Sequence, residues 1–434
     1  MLPKIVAIAI LCLITLKAHA LSSEELTANF SAYLAEYDLE VSSDDYEYRM
    51  QVYAENLESI GEMNELLGGG YGITDRAHLT DEEWPTCGCG ASGCEDSGRI
   101  LETREEEPTS LGHISEASYA VESVRNMPWE TERRELGVEP IDWKKRGAVG
   151  PVRDQGSCGS CYVFATALAV ESSFALYMAF LEGGMKNLDY AKYLPSISEQ
   201  QIIDCNYGKG CDGGDPLAVK NFVMYRPSLC NKTNYPYKMR NYVEGEVPPK
   251  LTCMENEIPC PASFIYGKMY EYEEAKSTPE LEKNLHGFLE AGAEEFFGRG
   301  PHVIGMRGDA LLHFKGGPND VLTNKACKTA IARNKKKNPD QNFWHAVVVV
   351  GFGSLEVKGK VQDYWLVQNS WGEQWGDQGL FKLERNAAFD TEGGTCMMFD
   401  TPRKQYPFSP YWKLPVSTKM PTSSPIEKPR ACSI

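Results

Sequence analysis

Two cysteines three positions apart, Cys158 and Cys161, stand among small residues in the stretch Gln155 to Ala165, QGSCGSCYVFA. On spacing alone such a pair can be a redox couple, half of a metal site, a structural cysteine beside another, or a nucleophile. From Tyr162 to Leu181 the chain is largely apolar and carries neither Pro nor Gly. This pattern predicts a buried helix with Cys161 in its first turn. A sulfur placed there faces unpaired N–H groups and the positive end of the helix dipole, and both favour the thiolate. A thiolate nucleophile needs a base, a group to orient that base, and donors for the oxyanion it creates. Two later segments carry suitable residues: His345 in FWHAV, leading into VVVVGFG, and Asn369 in QNSWGEQWGDQG. A lone His or Asn in a strand is more often structural.

Their joint occurrence changes the reading. CGSCY fits the pattern C-G-[SA]-C-[WY], and the chain order Gln155, Cys161, His345, Asn369 resembles that of the papain-like cysteine peptidases over roughly residues 140–407. The resemblance implies an α+β fold of two lobes: a helical lobe built on the Cys161 helix and a β-barrel-like lobe holding His345 and Asn369. It also implies the roles. His345 takes the thiol proton and later protonates the leaving amine. Asn369 orients the imidazole under Trp371. Gln155 and the backbone N–H of Cys161 bind the oxyanion. Gly213 and Gly214 would pair with an extended substrate, while Asp215, Pro216, Gly305, Ala346 and Thr401 would line a mostly apolar pocket. In the family the histidine and asparagine lie roughly 130–150 residues beyond the cysteine. Here they lie 184 and 208 residues beyond it, which implies insertions, one over 225–260 and one between Cys327 and His345. Tyr162 stands where Trp is common, and Trp344 where Asp or Asn is common.

The elements that deliver and control such a site can also be read. Lys4, the apolar run IVAIAILCLITL and Ala18-His19-Ala20 form a signal peptide over 1–20. Export permits disulfides and makes Asn29 and Asn231, in N-x-S/T sequons, glycosylation candidates. It also points to the secretory pathway, ending in a lysosome-like compartment or outside the cell. Asp45, Arg49, Tyr53, Asn56, Ile60 and Asn64 recur at helical spacing. They resemble the propeptide stripe of the cathepsin L-like branch, with Tyr71 to Thr74 and Leu79 to Glu83 as a second motif, from which Thr74, Arg76 and His78 depart. The implied layout is a signal at 1–20, an inhibitory propeptide and linker at 21–135, a peptidase domain at 136–408 and a Pro/Ser/Thr-rich extension at 409–434.

Nine cysteines lie between Cys158 and Cys396; with Cys161 free, eight remain for bridges. The family pattern implies Cys158–Cys211, Cys205–Cys253 and Cys327–Cys396, leaving Cys230 with Cys260. Cys87, Cys89 and Cys94, in CGCGASGC, read as a local disulfide knot, since they lack the paired C-x2-C of a metal site. Neither metal nor cofactor is expected. The basic residues Lys328, Arg333, Lys335, Lys336 and Lys337 fall before Pro339 and His345. They are expected to border the leaving-group side of the cleft, with a solvated loop or a processing site as the alternatives.

At 434 residues, 42% hydrophobic and a net charge of −17, the chain can bury a large core and is ill suited to nucleic acid. After the signal no membrane span is expected. The leading reading is a cysteine endopeptidase made as an inactive precursor. Its partners would be protein and peptide substrates, its own propeptide and cystatin-type inhibitors. The alternatives are an inactive homologue of the same fold acting as a binding protein, and an exopeptidase with part of the cleft blocked.

Overall fold

A computed structural model describes residues 21–84 except 82, 140–183, 189–205, 210–225, 229–239, 253, parts of 271–297, 300–339, 342–385 except 358, 393–399 and 407–413. The signal segment, Cys87, Cys89, Cys94, Cys260, Thr401 and residues 414–434 lie outside this set.

Two helices open the described chain, α1 (Ser23–Glu36) and α2 (Tyr46–Leu67). Ser22 caps α1 reciprocally with Glu25, so two otherwise unpaired N–H groups are satisfied. Gly68, in the left-handed conformation (φ 84°), closes α2. The helical stripe on α2 holds the chain that follows it. Arg49 donates two hydrogen bonds to Glu83, at 2.6 and 2.8 Å. Asn56 Nδ2 donates to the carbonyls of Ala77 and Leu79. Asn64 pairs with both backbone groups of Tyr71. Tyr53 and Ile60 are buried between these polar ties. Asp45, the first member of the stripe, sits at the N-cap and accepts from Ser42 rather than from a cation.

The body of the molecule is organised around α3 (Cys161–Gly183), which packs against α4 (Glu199–Cys205), α5 (Pro216–Tyr225) and the sheet. Among the described residues it is the one helix long and apolar enough to cross a membrane, and 94% of that window is buried inside the fold. Two of its buried polar side chains are held by hydrogen bonds: Glu171 takes two from Arg153 and one from the Ile197 N–H, and Thr166 bonds the Tyr162 carbonyl. Arg153 also pairs with Glu199, tying α3 to α4.

The remaining strands are β1 (Ile141–Asp142), β2 (Glu271–Glu274), β3 (Phe296–Phe297), β4 (His302–Arg307), β5 (Val321–Leu322), β6 (Trp344–Val357), β7 (Lys360–Gln368), β8 (Leu380–Glu384) and β9 (Phe408–Lys413). Their order is β2-β9-β4-β6-β7-β8-β5, with β1 on β6 and β3 on β9. The run HAVVVVGFG is buried on both faces, which explains its lack of alternation. Within it Gly351 is required, because a Cβ there would lie 2.1 Å from the Ile141 carbonyl oxygen of β1.

Two expectations are corrected. The extension expected from residue 409 does not start there, because Phe408–Lys413 is a strand between β2 and β4. Its prolines and serines hid an element in which Phe408 is fully buried and Pro410 accepts from Ser173 of α3. The basic insertion is also no loop. Thr323 caps a helix, α6 (Asn324–Lys337), which stops two residues before Pro339. Because Phe408 fills a core site, Phe408→Ala is expected to cost about 3–5 kcal/mol of stability, read as a shift of the urea midpoint at unchanged slope.

Candidate active site

Cys161 is the first residue of α3, so its N–H belongs to the turn that has no acceptor within the helix. His345 is the second residue of β6, paired with Met306 of β4. Asn369 follows the end of β7, and its N–H is held by the Gly379 carbonyl. Gln155 is fixed by its backbone to Ser370 and by its side chain at both ends: Nε2 donates to the Cys158 carbonyl at 2.8 Å and Oε1 accepts from Ser370 Oγ at 2.6 Å. All four are buried, with exposures of 3% or less.

The tautomer of His345 follows from its partner. Asn369 Oδ1 accepts from the Ser370 N–H at 2.8 Å, which identifies that atom as the oxygen. The same atom lies 2.8 Å from His345 Nε2, so Nε2 must carry a proton. Neutral His345 therefore presents Nδ1 as a bare lone pair, and Nδ1 has no hydrogen-bond partner. Trp371 lies over this pair, its ring 4.6 Å from the imidazole, and is itself backed by Trp375. Burial pushes the His345 pKa down to about 4; the Asn369 bond opposes this and the charge of Arg76 adds to it.

Cys161 is itself disulfide-bonded in this structure, in contrast to the free thiol expected from cysteine parity. Cys158–Cys211, Cys205–Cys253 and Cys327–Cys396 are bridged, and Cys230 is also bonded. Cys161 and Cys230 have partners other than these six cysteines.

The segment after α2 closes over the site. Gly72 N–H donates to His313 and Lys315 N–H to Gly70, so the chain docks as a short antiparallel bridge, Tyr71 with Phe314. Arg76 then reaches the strip beside Gln155, donating to Asp154 Oδ1 at 2.8 Å and to the Gly156 carbonyl at 3.3 Å. Trp84 completes the cover, edge-on to Trp371 at 5.1 Å and to His313 at 5.2 Å. Arg76 marks a departure from the family motif, and that departure makes the most direct polar contact with the Gln155 strip. Trp84 and His313 carried no signal in isolation; a fully buried Trp at the end of a polar segment becomes legible only with its receptor.

The remaining expected residues fall into two groups. Gly305 and Ala346 are direct cross-strand partners in β4 and β6. Gly213, Gly214, Asp215 and Pro216 run into α5, with Asp215 Oδ1 capping the Leu217 N–H. A side chain at Gly214 would strike the Tyr162 ring at 2.5 Å, so the Gly is set by packing against the helix that Cys161 opens. Asn231 Oδ1 accepts from both the N–H and the hydroxyl of Thr233, and Asn29 lies half-buried in α1. Among the described residues no group of three or more His, Cys, Asp or Glu is placed to hold a metal ion.

Comparison with known proteins gives this geometry a context. Residues 138–402 match the family model described as papain family cysteine protease, and residues 30–84 match the cathepsin propeptide inhibitor domain. The chain is 28% identical over 422 residues to cysteine proteinase RD21A of Arabidopsis thaliana, covering 95% of this chain and 72% of that protein. It is 32% identical over 268 residues to vignain of Vigna mungo, covering 61% and 59% respectively. A solved structure of recombinant stem bromelain precursor aligns with TM-score 0.56 at 22% identity, over 89% of this chain and 98% of that one. The proform of the ragweed pollen allergen Amb a 11 aligns equally well, at 0.56 and 23% identity, over 91% and 97%.

The fixed tautomer makes an expectation. In the full-length protein, ring-nitrogen NMR of His345 should show the Nε2–H form from pH 7 to 5 and titration near 4. An imidazolium spectrum at pH 6 would contradict the assignment.

Proposed function

The chain belongs to the papain family of cysteine proteases and carries that family's inhibitory propeptide domain, and from this premise we propose that it is an endopeptidase precursor acting through Cys161 and His345. The observation that carries the reading is the doubly accepting Asn369 oxygen. It leaves Nδ1 of His345 as the basic nitrogen and holds Nε2–H away from the reaction. In the released enzyme Nδ1 takes the Cys161 proton. The thiolate adds to the scissile carbonyl, the C–N bond breaks as the imidazolium gives its proton to the amine, and water then cleaves the thioester. Gln155 commits one amide proton to Cys158 and keeps a second for the oxyanion, beside the Cys161 N–H. Asn369 does no bond chemistry, so its removal costs orientation only. Gly213 and Gly214 would hold an extended substrate strand, with Ala346 and Gly305 on the β side of its pocket.

Two locks separate the precursor from this enzyme. The first is covalent: exchange with a thiol reductant must free Cys161, the reductant being oxidised in its place. The second is the cover of Arg76 and Trp84. Three imidazoles are held neutral beneath or within that cover. His78, depressed to about 4, faces Arg49, Glu83 and Arg76; His313, depressed to about 3, faces Lys337 and Arg333; His345 faces Arg76. Burial is the largest cause for each. Separation of the propeptide returns them towards the ordinary value of 6.5, so the separated state binds more protons. The propeptide's hold is therefore complete above about pH 6.5 and is lost as pH falls towards 4 and 3.

Cys161→Ala should abolish peptide hydrolysis with the fold intact. Asn369→Ala should lower kcat by a smaller factor, because it orients the base and transfers no proton itself. Equal losses would contradict the division of roles. An active-site-directed epoxide should label the wild type only after reductant; labelling of the unreduced protein would remove the covalent lock, and no labelling after reduction and acid would favour an inactive binding protein. Purified propeptide should inhibit the mature domain at pH 7 and fail to do so at pH 4.5. Equal inhibition at both would defeat the proton-linked release.

A further inference from the structure

α6 presents a positive face to the propeptide. Arg333 donates to Ser59 Oγ at 2.9 Å and pairs with Glu62 at 2.8 Å. Lys337 reaches Asp81 at 3.4 Å, and Lys325 reaches the Leu66 carbonyl at 3.2 Å. Ser59, Glu62 and Leu66 recur on one stripe of α2, so α6 meets that helix along a line on which Glu62 supplies the negative charge. Between the two helices lies a cavity of about 50 Å³ with Ser59, Met63, Tyr71, His313, Arg333 and Asn334 among its walls. Three more lysines, Lys328, Lys335 and Lys336, extend the positive charge into solvent, on a chain whose net charge is −17. Removal of the propeptide takes away Glu62, Asp81 and the apolar wall together. What remains is a cationic helix beside an open hollow.

That surface adjoins the reaction centre. His345, Trp371, Trp84 and His313 form a row of rings with successive centroids 4.6, 5.1 and 5.2 Å apart. His313 also lines the hollow, so in the precursor a single propeptide ring, Trp84, separates the hollow from Trp371 over His345.

We propose that, in the mature enzyme, this face of α6 is an exosite for an acidic helical segment of protein substrates, seated where α2 sits in the precursor. The proposal rests on the peptidase reading. It differs from preference at the leaving-group subsites, because the ligand is a folded helix that sets an acid against Arg333, on the far side of His313 from His345. Occupancy raises the local concentration of the cleavage sequence and so lowers KM while leaving kcat unchanged.

The test uses the mature, reduced enzyme and two substrates with one cleavage sequence. One is the short peptide alone. The other carries the segment Tyr46–Leu67 on its leaving side through a Gly/Ser linker of about eight residues, which spans about 16 Å. The helical tether should lower KM about tenfold at low salt, and the gain should vanish with Lys325→Ser/Arg333→Ser/Lys337→Ser and with Glu62→Lys in the tether. The short peptide should be cleaved equally by both enzymes. If the triple variant misfolds, the Glu62→Lys tether on wild-type enzyme decides alone. Equal KM for the two substrates, with the short peptide cleaved, overturns the exosite. A scrambled, non-helical tether of the same composition that gains as much overturns the helical part. Failure to cleave the short peptide would instead strike the peptidase reading.

Discussion

One oxygen atom, Oδ1 of Asn369, accepts two N–H groups, and the chemistry of the site depends on that double acceptance. The backbone donor at Ser370 fixes which end of the amide is oxygen. The imidazole must then donate from Nε2, and its other nitrogen is left basic. An isolated His–Asn contact could be read either way round; the backbone removes the ambiguity. The remaining architecture keeps these atoms still. The Asn369 N–H is pinned to Gly379, Ser370 is tied through its hydroxyl to Gln155, and Gln155 is tied back to Cys158. A chain of short bonds thus links the end of β7 to the start of α3, joining the groups that the two halves of the molecule contribute.

The same economy governs the cover. A buried imidazole in a dry site resists protonation, because the cation loses its hydration. Trp84 and Trp371 supply the dryness, and Arg76 adds a like charge to any imidazolium that forms. The arrangement therefore keeps His345 neutral, with its proton on Nε2, while Cys161 is held in a disulfide. Sealing and the lowered pKa values of His313 and His345 come from one arrangement, since Trp84 packs on His313 and on the Trp371 ring that covers His345.

The residues of the candidate site were legible in the sequence because their types are scarce, and the fold brings His345 and Asn369 into contact and ties Gln155 to Ser370. The propeptide stripe was legible for a different reason: its polar members after Asp45 serve the segment that follows, Arg49 through Glu83 and Asn56 and Asn64 directly on backbone groups. Other features were hidden. Phe408–Lys413 reads as a tail because Pro and Ser are poor strand formers, yet sheet pairing on both sides overrides propensity there. α6 reads as a basic loop because its charges face outward and only Ala326, Cys327, Ala330 and Asn334 are buried, too thin a stripe to announce a helix. The disulfide at Cys161 had no signal at all, since cysteine parity counts sulfurs and cannot say which are paired.

Magnitudes order the contacts that hold the precursor closed. Arg333–Glu62 and Lys337–Asp81 join side chains that are 30% and 64%, and 49% and 22%, exposed. Pairs of that kind contribute about 0–1 kcal/mol each and weaken with salt. Arg76–Asp154 is 8% and 16% exposed, and breaking it strands a charge against the Gln155 strip. Trp84 is fully buried, and truncating such a ring costs about 3–5 kcal/mol. The hold on the active site therefore lies with Trp84 and Arg76, while the charges on α6 contribute little to closure. A cationic helix that adds so little to closure is free to be shaped by a second demand, and the pairing of Arg333 with Glu62 on the facing helix is the contact on which the proposed exosite is built.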